Sequence, residues 1–132
     1  MTNTLTVRTA QNTYPIHIEA DFSKLADCFA QAGLNRRKVC VVTDSNVSGL
    51  YAAAVTGALS GVSGGVRRFT FEAGEQSKNL DTIAGLYRFC LEQRLDRTSV
   101  IAALGGGVAG DMAGFAAATY MRGITFVHQI DN

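Results

Sequence analysis

The 132-residue chain lacks several patterns that would place it in a specialised class of protein. Its three cysteines, Cys28, Cys40 and Cys90, form no Cys-x-x-Cys pair, so neither a disulfide framework nor a zinc ribbon is indicated. No apolar run approaches the roughly 18 residues needed to span a bilayer. The N-terminus lacks the basic and apolar segments of a secretory signal. These absences favour a protein of the reducing cytoplasm that does not enter a membrane.

An excess of one charge is also missing. Twelve basic and eleven acidic residues leave a formal net charge of +1, which argues against nucleic acid or an anionic membrane as partner. Hydrophobic residues make up 47% of the chain, enough for a core and too many for a disordered segment. Against a prior of about 150 residues per domain, the length predicts one domain over residues 1–132.

Patterns of strands and helices alternate along the chain. Residues 5–7 and 14–18 predict an N-terminal strand pair, with Pro15 placing the second strand at a sheet edge or a strand start. Further strands are predicted at 39–43, 66–71, 99–104 and 124–130. Helices are predicted before Gly33 and over 47–59, 80–91 and 108–120. This order is typical of a Rossmann-like α/β fold, a parallel sheet with helices on both faces.

Ligands of open α/β sheets bind at the carboxyl ends of the strands, which selects the loops at 44–46, 73–79 and 105–111. The third loop reads Gly-x-Gly-x-x-Gly after a strand and before a helix, a context that suits a pyrophosphate. A turn needed only for helix packing explains the same pattern. Asp111 could interact favourably with the positive end of the helix dipole, or its carboxylate could accept a hydrogen bond from a ribose hydroxyl.

The other two loops are also open to two interpretations. The Gly-Glu-Gln-Ser-Lys run at 74–78 could bind ribose hydroxyls through its glutamate and an anion through its lysine. The same run is also typical of an ordinary solvent-exposed start of a helix. Residues 44–46 suit nucleotide contacts or helix N-capping. His17 and His128 are interpreted as structural strand residues, and no spacing indicates a metal site.

Several motifs together are more specific than any one loop. The segments YPIHI, VVTDSNV, GEQSKNLDT, GGGVAGD and YMRG occur in the order and spacing of 3-dehydroquinate synthases, so that the chain resembles this family from Tyr14 to Val127. The resemblance implies an enzyme of the shikimate pathway that converts 3-deoxy-D-arabino-heptulosonate 7-phosphate into 3-dehydroquinate and phosphate. It implies NAD as cofactor, zinc or cobalt as divalent metal, a sugar-phosphate substrate and a homodimer.

The resemblance also implies site residues. Nucleotide contacts would come from Asp44 and Asn46, from Gly74, Glu75, Gln76 and Lys78, and from Gly105, Gly106, Gly107, Gly110 and Asp111. Glu75 and Lys78 would bind ribose, the glycines pyrophosphate, and Asp111 the nicotinamide end. Arg122 would contact the substrate phosphate, donated to a neighbouring subunit.

The match departs from the family at its C-terminal end. The family continues with a Pro-Thr-Thr segment, where this chain reads Gln129 to Asn132. We therefore expect a truncated NAD-binding domain without the helical second domain, its metal ligands or catalytic activity. Two alternatives remain, namely another sugar-phosphate cyclase or a glycerol or iron-dependent alcohol dehydrogenase-like enzyme, and a non-catalytic nucleotide-binding or self-associating module.

Overall fold

The computed structural model describes residues 2–8, 13–19, 33–34, 36–61, 63–105 and 107–131, with only the backbone described at 2–8, 13–19, 47–52 and 128–131. The strands are β1 (Thr2–Arg8), β2 (Thr13–Glu19), β3 (Val39–Asp44), β4 (Val66–Phe71), β5 (Val100–Leu104) and β6 (Thr125–Asp131). The helices are α1 (Ser45–Ser60), α2 (Leu80–Glu92) and α3 (Gly107–Thr119). The helix predicted before Gly33 lies outside the described residues.

The six strands form one sheet in the order β2-β1-β6-β5-β3-β4. Strands β6, β5, β3 and β4 are mutually parallel, while β1 pairs antiparallel with both β2 and β6. The predicted strand pair and parallel sheet are therefore confirmed. Pro15 lies opposite Thr6 in β2, the outermost strand, where a residue without an N–H is tolerated.

Both faces of the central strands are buried. Cys40 and Val42 of β3 point into a core cluster that also contains residues of α2 and α3. The alternate residues Val39 and Val41 are fully buried outside that cluster, as side chains on opposite faces of a strand must be. Helix α1 contacts β3 and β4 and buries Val55 and Leu59. The prediction of helices on both faces is thus confirmed.

Two cysteines are core residues. Cys40 and Cys90 have no exposed surface and belong to the same cluster. Contact with Cys90 and burial raise the pKa of the Cys40 thiol, which keeps it neutral. Cys28 lies outside the described residues.

The C-terminal end of α3 is attached to the loop that follows α2. The hydroxyl of Tyr120 donates a buried hydrogen bond to the carbonyl oxygen of Leu95 at 2.8 Å. A 3₁₀ turn, Tyr120–Arg122, then leads into β6. Among the described helices, none combines the length and apolar character that crossing a bilayer requires.

Candidate functional site

The carboxyl ends of β3, β4 and β5 meet at one edge of the sheet, and side chains join the loops that follow them. The backbone N–H of Ala73, after β4, donates to the Oγ of Ser45, after β3, at 3.0 Å. The ammonium of Lys78, before α2, lies 2.8 Å from the Oδ2 of Asp111 on α3. The structure thus brings together the three loops that the sequence analysis selects.

The loop after β4 is held by its own polar groups. The Gln76 amide donates to the carbonyl oxygen of Ala73 at 2.8 Å, and the Ser77 hydroxyl donates to that of Glu72 at 2.6 Å. Gln76 therefore supports the loop, and its predicted role as a nucleotide contact remains a prediction. Glu75 is exposed in the 3₁₀ turn Glu75–Ser77.

Gly74 is the residue on which this loop turns. Its φ of +122° belongs to the region that side chains disfavour, and a Cβ placed there would collide with the amide of Gln76. The loop then ends at Asn79, whose Oδ1 accepts from the backbone N–H of Thr82 at 2.8 Å and caps α2. The sequence analysis missed this cap, although an asparagine immediately before an apolar helical pattern is a known signal.

Strand β3 leads directly into α1, and its last residue, Asp44, forms the N-terminal cap of that helix. The Oδ1 of Asp44 accepts from the backbone N–H of Asn46 at 2.9 Å, which is N-cap geometry. The capping interpretation is therefore confirmed for Asp44. The side chain of Asn46 is exposed in the first turn of α1.

The glycine turn opens α3. Gly105 is buried at the end of β5 with a φ of +128°, and Gly107 is the first helical residue, exposed and with no atom within 4 Å of the position of a Cβ. Gly110 is buried within the helix. The backbone is thus open to a ligand at the start of α3, where N–H groups and the helix dipole favour negative charge. Gly106 lies outside the described residues.

The Lys78 ammonium lies near two acidic side chains at this edge, Asp111 and Glu75. A hydrogen bond to Asp111, the charge of Asp111 and the charge of Glu75 raise the pKa of the Lys78 ammonium. Both partners of the ion pair are substantially exposed, at 44% for Lys78 and 60% for Asp111. The pair therefore contributes little to stability, and an anionic ligand can compete for Lys78 at small cost.

A cleft of about 360 Å³ lies beside this ion pair, between the start of α2 and α3. Its lining combines the two charged residues with Asn79, Leu80, Ile83, Met112 and Phe115. Leu80 is 78% exposed and Phe115 50% exposed, an unusual position for large apolar side chains. The sequence analysis did not predict this cleft, because helical periodicity assigns Leu80 to the core face of α2.

Arg122 is not part of this edge. It follows α3, which returns the chain to the amino ends of the strands, and it lines a separate shallow cleft with Asp96, Arg97, Thr98 and Met121. One five-residue strand separates the two edges by about 16 Å. Arg122 and Met121 both have positive φ, of 68° and 49°. Within the described residues, no group of three histidine, cysteine or acidic side chains is placed to hold a metal ion, so we assign no metal ligand.

The sheet order and the glycine turn between β5 and α3 define a Rossmann-like α/β domain. Solved structures share this fold. A 2-deoxy-scyllo-inosose synthase, complexed with carbaglucose-6-phosphate, NAD⁺ and Co²⁺, superposes with a TM-score of 0.77 at 22% identity and covers 90% of this chain and 32% of its own. A 2-epi-5-epi-valiolone synthase from Streptomyces hygroscopicus subsp. jinggangensis, with NAD⁺ and Zn²⁺ bound, superposes at 0.63 with 25% identity, covering 76% and 28%.

Sequence comparisons identify the family. Residues 68–130 match the model of the 3-dehydroquinate synthase N-terminal domain. The 3-dehydroquinate synthase of Acetivibrio thermocellus is 43% identical over 123 residues, which cover 93% of this chain and 34% of that protein. That of Streptococcus pneumoniae is 49% identical over 106 residues, covering 76% and 30%. The chain belongs to the 3-dehydroquinate synthase family, and it spans about a third of the length of the curated relatives it matches.

Proposed function

We propose that residues 1–132 are the NAD-binding N-terminal domain of a 3-dehydroquinate synthase. The longer enzyme would convert 3-deoxy-D-arabino-heptulosonate 7-phosphate into 3-dehydroquinate and phosphate, as a cytoplasmic homodimer. The observation that carries the proposal is the convergence of the loop after β4 with the first turns of α3, through Lys78 and Asp111. This convergence lies at the carboxyl edge, where α/β sheets bind nucleotides.

The residues present fit a dinucleotide. The open backbone at Gly107 and the buried, left-handed Gly105 provide the close approach that a pyrophosphate needs. Gly106 and Gly110 complete the motif. Lys78 supplies a cation beside it, and the exposed carboxylates of Glu75 and Asp111 suit ribose hydroxyls.

Each remaining group then has a separate task. Asn46 presents an exposed amide next to Asp44, at the carboxyl end of β3, where it would contact the nucleotide. Gly74 and Gln76 hold the loop in shape so that Glu75 faces outward. When bound, NAD would supply a reversible acceptor for hydride, and these residues of the chain bind it, orient it and balance its charge. The described residues offer no set of side chains that fits the divalent metal of the family.

Arg122 supports a different part of the proposal. Since it lies at the amino edge, it cannot reach a ligand held at the carboxyl edge of the same chain. Its exposed guanidinium suits a phosphate, which it would contact in a neighbouring subunit. This arrangement requires the proposed homodimer.

Calorimetric titration with NAD tests the cofactor site. We expect weak binding, and we expect Gly105→Ala to lower the affinity by about tenfold or more, because a methyl group is strained at positive φ. Gly57→Ala, at an open position of α1, is the matched control and should bind as the unsubstituted chain does. Absence of binding at millimolar NAD, or equal binding by both variants, would contradict the assignment.

Phosphate release tests the enzymatic part of the proposal. The chain alone, supplied with zinc or cobalt, NAD and substrate, should release no phosphate, because its relatives are about three times as long. The same assay on a full-length protein carrying this domain should detect release. Release by the 132-residue chain would show that the catalytic groups lie within it.

A further inference from the structure

The near-neutral chain is electrically polarised across its sheet. Six basic residues lie around the amino ends of β3, β4 and β5, and we call them the basic band. Five of the six are exposed and Arg37 is half-buried. The members are Arg36, Arg37, Lys38, Arg67, Arg94 and Arg97.

Hydrogen bonds show that the basic band is continuous. The carbonyl oxygen of Arg37 accepts from the N–H of Gly64 at 2.8 Å, and that of Lys38 accepts from Val100 at 2.8 Å. The Lys38 ammonium donates to the carbonyl oxygen of Arg94 at 3.4 Å. The Arg67 guanidinium donates to Gln93, the neighbour of Arg94, at 2.8 Å. Three loops thus present their cations on one surface.

Among the described residues, acidic side chains do little to neutralise the basic band. Glu92 and Asp96 are the nearby acids of that part of the chain, and neither forms an ion pair with the band. The Asp96 carboxylate accepts instead from the hydroxyl and the N–H of Thr98, at 2.6 and 2.9 Å. These bonds, helped by the charge of Lys38, lower the pKa of Asp96. The band therefore keeps an excess of positive charge.

The opposite edge carries the reverse charge. Within the described ranges, the exposed or half-exposed acids of this edge outnumber its one cation, Lys78. They are Asp44, Glu72, Glu75, Asp81 and Asp111. The formal charge of +1 thus conceals two separated patches, which composition alone cannot reveal.

We propose that the basic band is a docking surface for an acidic segment of another protein. Five of its six cations are arginines. The planar guanidinium group of an arginine can bind one carboxylate through two parallel hydrogen bonds. Leu91, 61% exposed, lies directly beside Arg94, where it can receive an apolar side chain of such a segment. The band crosses three neighbouring strands, whose two spacings make it about 10 Å wide, which suits about three extended residues.

Nucleic acid fits this surface less well. Single strands are held largely by aromatic side chains that stack on bases. The large exposed apolar residues of the described part are Leu80, Leu91, Phe115 and Met121, and the single aromatic among them lies at the other edge. The band therefore offers charge without a stacking platform.

Fluorescence anisotropy tests the proposal on the 132-residue chain. The probe is a labelled octapeptide of seven glutamates and one leucine, with the same peptide carrying glutamine in place of every glutamate and a single-stranded RNA octamer as comparisons. We expect the acidic peptide to bind, with an affinity that falls as salt is raised, and the uncharged glutamine peptide not to bind. Binding of the RNA as tight as or tighter than that of the acidic peptide would overturn the proposal, and so would absence of acidic-peptide binding.

A charge reversal locates the surface. Arg97→Glu should weaken peptide binding by about tenfold, whereas Arg88→Glu, on the exposed side of α2 outside the band, should change it by less than about twofold. Both substitutions alter the net charge equally. Circular dichroism checks folding, and Arg97→Gln, which removes charge without reversing it, should give an intermediate loss. Equal effects of Arg97→Glu and Arg88→Glu would overturn the proposal.

Discussion

The Nζ of Lys78 and the Oδ2 of Asp111 lie 2.8 Å apart and join two segments that are 33 residues apart in the sequence. Lys78 lies in the loop after β4, one residue before the cap of α2, and Asp111 lies in the second turn of α3. Because both side chains are exposed, this ion pair positions the two charged groups more than it stabilises the fold. A bound anion would find the cation already in place beside the start of α3.

The pKa of Lys78 is a direct measure of this arrangement. Asp111 and Glu75 raise it above its ordinary value of 10.5. A raised pKa in the folded state means that the stabilisation is complete below pH 10.5 and is lost as the pH rises through the folded pKa. NMR titration of the Lys78 side-chain signals should show this residue titrating above the ordinary lysine value of 10.5.

Asp111→Asn provides the control for that titration. The substitution removes the charge and keeps the shape, so the pKa of Lys78 should return toward its ordinary value. The melting temperature near neutral pH should hardly change, because the pair is exposed. An unaltered Lys78 titration in this variant would show that another group sets the pKa.

Gly74→Ala should destabilise the domain by about 1 to 3 kcal/mol. Its positive φ disfavours a side chain, and the new methyl group would displace the Gln76 amide that supports the loop. Gly57→Ala, in an open interior position of α1, should instead stabilise by about 0.5 to 1 kcal/mol. Urea denaturation of both variants measures the contrast. A stabilising Gly74→Ala would be inconsistent with the turn described above.

Thr43→Val should raise the free energy of unfolding by about 1 kcal/mol. The Thr43 side chain is fully buried at the end of β3, and its hydroxyl has no hydrogen-bond partner among the described residues. Replacing an unsatisfied hydroxyl with a methyl group of similar size removes a desolvation cost. Thermal or urea denaturation checks the sign. Destabilisation of similar size would mean that the hydroxyl is bonded in the native state.

Two leucines of α2 should differ sharply in their importance. Leu86 is 1% exposed within the core cluster, and Leu86→Ala should cost about 2 to 5 kcal/mol. Leu91→Ala deletes the same atoms at a site 61% exposed and should cost no more than about 0.5 kcal/mol. Paired urea denaturation curves provide the test, and equal costs would contradict the placement of α2.

Sequence patterns predicted most of the described fold for a physical reason. A strand buried on both faces requires a continuous apolar run, and the predicted bounds of β5 differ from the observed ones by one residue. The predicted bounds of β4 agree with Val66–Phe71, although Arg67, Arg68 and Thr70 of this strand are exposed. The start of α3 was predicted one residue late, at Val108 instead of Gly107, because a glycine carries no helical signal of its own. The three loops of the site followed from the rule that strand ends converge.

The interactions within the site could not be predicted in the same way. The ion pair of Lys78 with Asp111 depends on how α2 packs against α3. The hydrogen bond between Ser45 and Ala73 depends on the register of β3 and β4. The position of Arg122 at the amino edge follows from the length of α3, which carries the chain across the sheet. The segregation of charge arises from topology and has no signature in a local window.

The position of β1 in the sheet has a consequence for synthesis on the ribosome. Asn3 pairs with Asp131, so the outer hydrogen bonds of β1 cannot form until β6, which is translated much later, has also been made. Until then β1 can pair only with β2, as an isolated hairpin of marginal stability. Joining the two ends closes a loop of almost the whole chain, and such distant contacts slow folding. We therefore expect the four parallel strands to assemble first and the N-terminal hairpin to complete the sheet last.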